Sequence, residues 1–230
     1  MNDNPDFAPL AALMGEPARS AMLAALMAGR ALPATDLALE AGVAPQTASA
    51  HLAKLVDGGV LRVERVGRHR YFRLADDDIA DLVGRLTAIA RRRPGAPRLR
   101  HSKAESLRNA RTCYGHLAGK LGVAVTRALV KRRLLVAEGS DFRVTRKGAA
   151  YFAEFGLDLP KLTASRRALA RQCLDWSERR PHLAGALGAG LASQCFERGW
   201  FVRARDGRQV LVTGPGRQAL REMLAIDLPF

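Results

Sequence analysis

Between Leu37 and Val56 the apolar positions fall at helical spacing in two short blocks separated by Gly42. Leu37, Ala38 and Ala41 share one side of a first helix. Gly42 supplies a tight turn, Val43 plugs the space between helices, and Pro45 opens a second helix where its missing N–H costs nothing. In that second helix Ala48, Leu52, Leu55 and Val56 point inward. Gln46, Thr47, Ser49, Ala50 and His51 are left on its outer, N-terminal turns. The period then drops from helical to alternating. Val60, Leu61, Val63, Tyr71, Phe72 and Leu74 mark the inner face of two strands joined at Gly67. After "DDD" (76–78), whose acids suit a helix N-terminus, Ile79, Leu82, Val83, Leu86 and Ile89 return to helical spacing.

"RRRPGAPRLRHSK" (91–103) joins an arginine run to Pro94, Gly95 and Pro97, and breaks the pattern as a linker. Beyond it Ser102 and Glu105 form a capping box. Leu107, Ala110, Tyr114, Leu117 and Leu121 step by three and four, which predicts one continuous helix. The chain then repeats itself: "HLAGKLGVAVTRALVKRRLLV" (116–136) aligns without gaps on "HLAGALGAGLASQCFERGWFV" (182–202), an offset of 66. After a two-residue insertion "VTRKG" (144–148) lies on "VTGPG" (212–216). Each unit reads as helix, short strand, hairpin, strand and a helix capped by Thr145 or Thr213, with Asp206-Gly207 as the turn of the second hairpin. The stretch 182–196 reads as a buried helix, and its "GALGAG" (185–190) as close helix packing rather than a dinucleotide loop. These patterns predict a mostly helical α+β chain with small β-hairpins. Domain 1–93 precedes a linker at 94–103 and a C-terminal domain at 104–230, with winged-helix-like repeats at about 116–155 and 182–224.

Charge sharpens this picture. The formal net charge is +15, which suggests a polyanionic partner. Residues 1–93 hold 12 Lys and Arg against 11 Asp and Glu, whereas residues 94–230 hold 25 against 11. Inside the near-neutral first part, Arg62, Arg65, Arg68, Arg70 and Arg73 face a single Glu64 along the ribbon. No apolar run reaches the 18 or so residues of a membrane span. The acidic start "MNDNPDF" has no signal core, and three widely spaced cysteines suit a reducing compartment, so a cytoplasmic protein without membrane contact is expected. No nucleophile–base or paired-carboxylate motif stands in recognisable context, which argues against an enzyme.

The helix of 45–57 is polar where a groove-reading helix must be, and Arg65, Arg68, His69 and Arg70 cluster at the ribbon tip. Guanidinium groups alone supply salt-sensitive, sequence-independent affinity for phosphates; base edges must be read by the helix. The run "DLALEAGVAPQTASAHLAKLVDGGVLRVERVGRHRYFRL" resembles the recognition helix and wing of ArsR/SmtB-family winged helix-turn-helix repressors, over about 85 residues (8–93). The resemblance implies a homodimer on double-stranded DNA, with helices near 8–14 and 76–92 at the dimer interface. It implies that Gln46, Thr47, Ser49 and His51 read DNA, with Arg68 and Arg70 in the wing; Arg65 joins them by its place at the tip. Ala50 departs from the larger polar residue often found at its position.

Family metal sensors carry cysteines on the first helix of the motif, or Asp and His on the helix after the wing. "PATDLALEAG" has no Cys and "DDDIADLVGRLTAIARRR" no His, so no metal and no cofactor are carried over. The remaining candidates lie in the C-terminal part: Cys113 with His116, Cys173 with His182, and Trp176. Cys113 and His116 are spaced to share a helix face, yet two ligands fall short of the four of a zinc site. Buried structural thiols are the first expectation for the cysteines, ahead of thiol sensing and metal binding. His116 and His182 are expected at a common interface of the repeats, and Trp176, Trp200 and Tyr114 are candidates for an aromatic effector pocket. The reading is an effector-responsive dimeric repressor whose effector is a small molecule, a thiol-reactive compound or a metal. Its rivals are a non-specific architectural nucleic-acid binder and a C-terminal protein-interaction adaptor.

Overall fold

The computed structural model describes residues 6–67, 69–90, 101–204 and 208–230, and only the backbone at 101–104. Arg68, most of the expected linker and the Asp206-Gly207 turn lie outside the described residues. The chain divides into two compact units, Met1–Val83 and Gly84–Phe230. The division falls within a helix that runs unbroken from Asp77 to Ala90.

The first unit begins with α1 (Ala8–Gly15) and α2 (Pro17–Leu26), followed by β1 (Leu32–Pro33) and α3 (Ala34–Ala41). Next come α4 (Pro45–Asp57), β2 (Leu61–Val66), β3 (His69–Leu74) and α5 (Asp77–Ala90). Gly42 ends α3 in the left-handed region (φ 65°), and the Val43 amide donates to Ala38 O at 3.1 Å, which turns the chain into α4. Pro45 occupies the first turn of α4, and the Asp76 carboxylate accepts from the Ile79 amide at the start of α5. Met22, Leu23, Leu26, Leu37, Leu52 and Leu55 form the core, closed by Val60, Leu61, Phe72 and Leu74 from the ribbon. The strands pair antiparallel in the order β1-β3-β2. This is a winged helix-turn-helix, with β2 and β3 as the wing.

The second unit starts with α6 (His101–Asn109), the hairpin β4 (Arg111–Cys113) and β5 (His116–Ala118), and α7 (Gly119–Lys131). The ribbon β6 (Leu135–Glu138) and β7 (Asp141–Val144) leads to α8 (Arg146–Glu154) and α9 (Leu159–Thr163). A second hairpin, β8 (Arg171–Leu174) and β9 (Pro181–Ala184), then leads to α10 (Gly185–Glu197). The ribbon β10 (Phe201–Arg203) and β11 (Val210–Val212) and the helix α11 (Gly214–Leu224) follow. Leu121, Leu129, Phe152, Leu187 and Phe201 lie in one continuous apolar core. Thr145 and Thr213 cap α8 and α11 through the amides of Gly148 and Gly216.

Two helical expectations need correction. The helix expected through Leu121 ends at Asn109, and Tyr114 (φ 57°) with Gly115 turns a hairpin. The stretch 182–196 likewise begins as a strand, and its helix starts only at Gly185. The reason is the same in both. Gly119 and Gly185 each adopt φ 76°, where a Cβ would lie 2.5 Å from Arg108 O or 2.4 Å from Ala168 O. A left-handed junction jammed against a carbonyl starts a new element whatever the apolar spacing says.

The hairpins are exchanged between the ribbons. β8 extends the first ribbon into the sheet β6-β7-β8-β9, through Phe142 N to Ala170 O and Gln172 N to Ser140 O. In the same way Val210 N donates to Ala110 O and Thr112 N to Arg208 O, which brings β4 beside the second ribbon. Helix α7 packs on β9 and α10 on β5. Each hairpin therefore belongs to both halves of the unit, and β5 meets β9 between them.

Candidate nucleic-acid interface and a cysteine–histidine cluster

On α4, Ala48, Leu52 and Leu55 are buried, while Gln46, Thr47, Ser49 and Ala50 are exposed together. The Ser49 hydroxyl donates to Pro45 O at 3.0 Å and keeps its oxygen available outward. His51 is a correction: it faces α2 instead of solvent. Its Nδ1 lies 3.5 Å from the Glu16 carboxylate and 3.4 Å from Arg19 Nη1, on the flank of α4 that packs on the α2 N-terminus. Glu16 is already committed there, capping α2 through the amides of Ala18 and Arg19.

The wing arginines separate into two groups. Arg73 donates to Glu64 at 2.8 Å and Arg62 lies 4.0 Å from the same carboxylate, so these two are compensated internally. Arg65 and Arg70 are exposed, directly opposite each other in the register of β2 and β3. Like charges across a strand pair repel, and an anion bridging them removes that cost. Arg70 also rests over the Phe72 ring, 5.4 Å from its centroid.

In the second unit the candidates converge. Cys113 pairs with His116 across β4 and β5, and Cys173 with His182 across β8 and β9. The two hairpins bring Cys113 Sγ to 4.0 Å from Cys173 Sγ, and His116 Nε2 to 3.1 Å from His182 Nε2. One ligand atom from each of the four lies within 4.8 Å of every other. His116 and His182 are buried, and the cysteines are half-buried. Sequence spacing suggests two separate pairs, with Cys113 and His116 on a helix face; strand pairing assembles the four instead.

Three further features surround the cluster. Arg111 and Asp175, both fully buried, form an ion pair of 2.7 Å. The same Asp175 oxygen accepts from the Gly119 amide at 2.7 Å and lies 3.4 Å from His182 Nδ1. Burial would raise the Asp175 pKa, but Arg111, His182 and the Gly119 amide outweigh it and hold the carboxyl below the usual range. The third feature is glycine: Gly122 sits where a Cβ would meet His182 Cβ at 3.6 Å, and Gly188 where one would meet His116 Cβ at 3.3 Å. The repeat alignment contained this signal, since the histidines and glycines both recur at 66.

The three aromatic candidates have separate surroundings. Trp176 lies under the Arg111 guanidinium (4.4 Å) and Tyr114 under Arg167 (5.3 Å). Trp200 packs edge-on to Phe155 and lines an apolar cavity of about 20 Å³ that neither of the other two borders. That space holds about one water, not an organic effector.

Residues 14–64 match a family described as a helix-turn-helix domain. The HTH-type transcriptional regulator YdfF of Bacillus subtilis (strain 168) is 41% identical over 225 residues, covering 98% of this chain and 100% of that protein. The chain belongs to the HTH-type transcriptional regulators. Among solved structures it is similar to the homodimeric winged helix-turn-helix domain of a possible ArsR-family regulator of Mycobacterium bovis. That match has 25% identity, 44% of this chain, 100% of that chain and TM-score 0.36. It is also similar to the cadmium sensor CMTR of Mycobacterium tuberculosis, with 26% identity, 41% of this chain, 98% of that one and TM-score 0.31. As an HTH-type regulator the chain binds DNA through its first unit. Among the described residues, no helix is long and apolar enough to cross a membrane.

Proposed function

We propose that this regulator is a dimeric, effector-responsive repressor of the ArsR type. The carrying observation is the pairing of an exposed polar face on α4 with the exposed, cross-strand Arg65–Arg70 pair on the wing, for which no acidic partner stands among the described residues. Gln46, Thr47 and Ser49 enter the major groove and read base edges, each good contact contributing roughly 1–3 kcal/mol of discrimination. Arg65 and Arg70 hold the phosphates beside it, with Arg68 assigned to the same wing by sequence. Dimerisation is supported by α5, where Leu86 and Ile89 of the apolar stripe remain 48% and 47% exposed while Val83 is buried. A two-fold dimer places the recognition helices about 34–36 Å apart, one turn of DNA. The second unit receives the signal.

A non-specific architectural role draws on the basic excess of residues 94–230. Among those cations Arg111 is buried against Asp175, while Arg198 and Arg203 are exposed and lie over the rings of Phe155, Trp200 and Phe196. The test is DNA affinity across salt on specific and scrambled duplexes. Arg65→Ala with Arg70→Ala should weaken both and flatten the log–log salt slope by about 0.9 for each phosphate no longer neutralised. Gln46→Ala should act on the specific duplex alone. Identical behaviour of the two variants on both duplexes overturns the assignment.

A further inference from the structure

We infer that Cys113, His116, Cys173 and His182 form a closed binding site for one thiophilic divalent transition-metal ion of the zinc class, clamping the two repeated hairpins together. The binding claim stands on the second unit's own geometry and not on the repressor reading.

The distances carry it. In a tetrahedron the edge is about 1.6 times the central bond, so Zn–S near 2.3 Å and Zn–N near 2.0–2.1 Å set paired sulfurs about 3.8 Å apart and paired nitrogens about 3.3 Å apart. The observed separations are 4.0 Å between the sulfurs and 3.1 Å between the Nε2 atoms. Two thiolates and two imidazoles are a ligand set that zinc takes in structural sites, and hard ions such as magnesium or calcium, which want oxygen, are excluded by it.

The surroundings hold these ligands in place. Asp175 faces Nδ1 of His182, opposite the Nε2 that joins the cluster, and Arg111 and the Gly119 amide fix that carboxylate. A carboxylate behind a ligating histidine orients the ring and raises its basicity. Gly122 and Gly188 leave room for the Leu117 and Leu183 carbonyls, 2.4 Å and 2.5 Å from where a Cβ would stand, and so seat α7 and α10 close against β5 and β9, which carry the histidines.

Binding is balanced as one divalent ion exchanging for two thiol protons, leaving two thiolates and two neutral imidazoles around the metal and no net charge in the site. Four protein donors fill a tetrahedron and leave no open position for water, so the ion acts as a cross-link and not as a catalyst. Each hairpin donates one cysteine and one histidine, so neither alone makes the site. The ion therefore opposes separation of the two halves.

The test uses the full chain, reduced and stripped with a chelator, then titrated with cobalt(II) and afterwards with zinc. The expected result is one cobalt per chain, the intense visible bands of tetrahedral thiolate coordination, and displacement of cobalt by zinc. Cys113→Ser and Cys173→Ser should each weaken zinc binding at least 100-fold, and thermal unfolding of the wild type should move upward with zinc. The wild-type cobalt spectrum needs no variant, so a misfolded mutant leaves the test intact. Weak octahedral bands, binding that survives Cys113→Ser, or a reduced chain that takes up no metal but readily joins Cys113 to Cys173 by oxidation would overturn the inference. Loss of DNA binding with metal uptake intact would instead count against the repressor reading alone.

Discussion

Arg111 and Asp175 meet in a fully buried ion pair of 2.7 Å that ties β4 of one repeat to the loop joining β8 and β9 of the other. The carboxylate is crowded with partners: its second oxygen accepts from the amides of Ser177 and Glu178 and from the Ser177 hydroxyl. Removing one member of such a pair leaves the other charged and buried, at a cost of about 3–5 kcal/mol. Arg111→Met should therefore lower stability by that order in urea unfolding. Leu174→Ala, at a strand end of the same hairpin with its side chain 63% exposed, should change it by less than about 0.5 kcal/mol. Equal stability of the two variants would show that the pair does not hold the hairpins.

Glycine at 188 is required by space. A Cβ there would stand 2.5 Å from Leu183 O, a backbone atom with no rotamer to relax. Gly188→Ala should cost more than Gly15→Ala, where the added Cβ meets nothing within 4 Å. Overpacking of this kind typically costs about 1–3 kcal/mol. Thermal unfolding of the two variants checks the order, and a tolerated Gly188→Ala would contradict the close approach of β9 and α10.

Cys195 should behave unlike the other thiols. Burial pushes its pKa up to about 12, with Arg198 opposing only in part. A raised thiol pKa keeps the neutral form, so the reactive thiolate stays scarce as pH rises through 8 and 9. In mass-spectrometric alkylation of the native, metal-stripped chain, Cys195 should remain unlabelled while Cys113 reacts. Labelling of Cys195 at the rate of Cys113 before unfolding would contradict its placement in the core.

The exposed apolar residues on α5 set the assembly prediction. Leu86→Lys with Ile89→Lys should leave the fold intact, since both side chains are about half exposed already, and should shift sedimentation toward monomer. Operator affinity should fall with it. Unchanged sedimentation would place the dimer contact elsewhere.

The first unit is largely legible in the sequence because its signals are local. Gly42, Pro45 and the inward Ala48, Leu52 and Leu55 read directly as turn and helix, and all three apolar residues are buried. His51 departs from its expected place because a position on the recognition helix does not say which flank a neighbouring helix covers. In the second unit the spacing of Leu107, Ala110, Tyr114, Leu117 and Leu121 mimics a helix, while the left-handed Gly119 imposes a strand–helix junction. The cysteine–histidine cluster is hidden by loop length. The histidines recur at 66 and the cysteines at 60, because two residues separate Cys113 from His116 but eight separate Cys173 from His182. Strand pairing restores the equivalence: each cysteine lies opposite its histidine in the register. Asp175 has no sequence signal beyond its acidity, since its partners Arg111 and Gly119 lie more than 50 residues away.

The central claim is that α4 reads sequence while the wing holds the backbone, in a dimer. It is tested most directly by selecting duplexes from a random pool with the full chain at physiological salt and sequencing what is retained. Enrichment of an inverted repeat with half-sites about one helical turn apart is expected. Gln46→Ala should change the base preference within each half-site, and Arg65→Ala with Arg70→Ala should reduce the yield without changing the motif. Retention of DNA with no enriched sequence, or a motif that survives Gln46→Ala unchanged and shifts with the wing arginines instead, would contradict it.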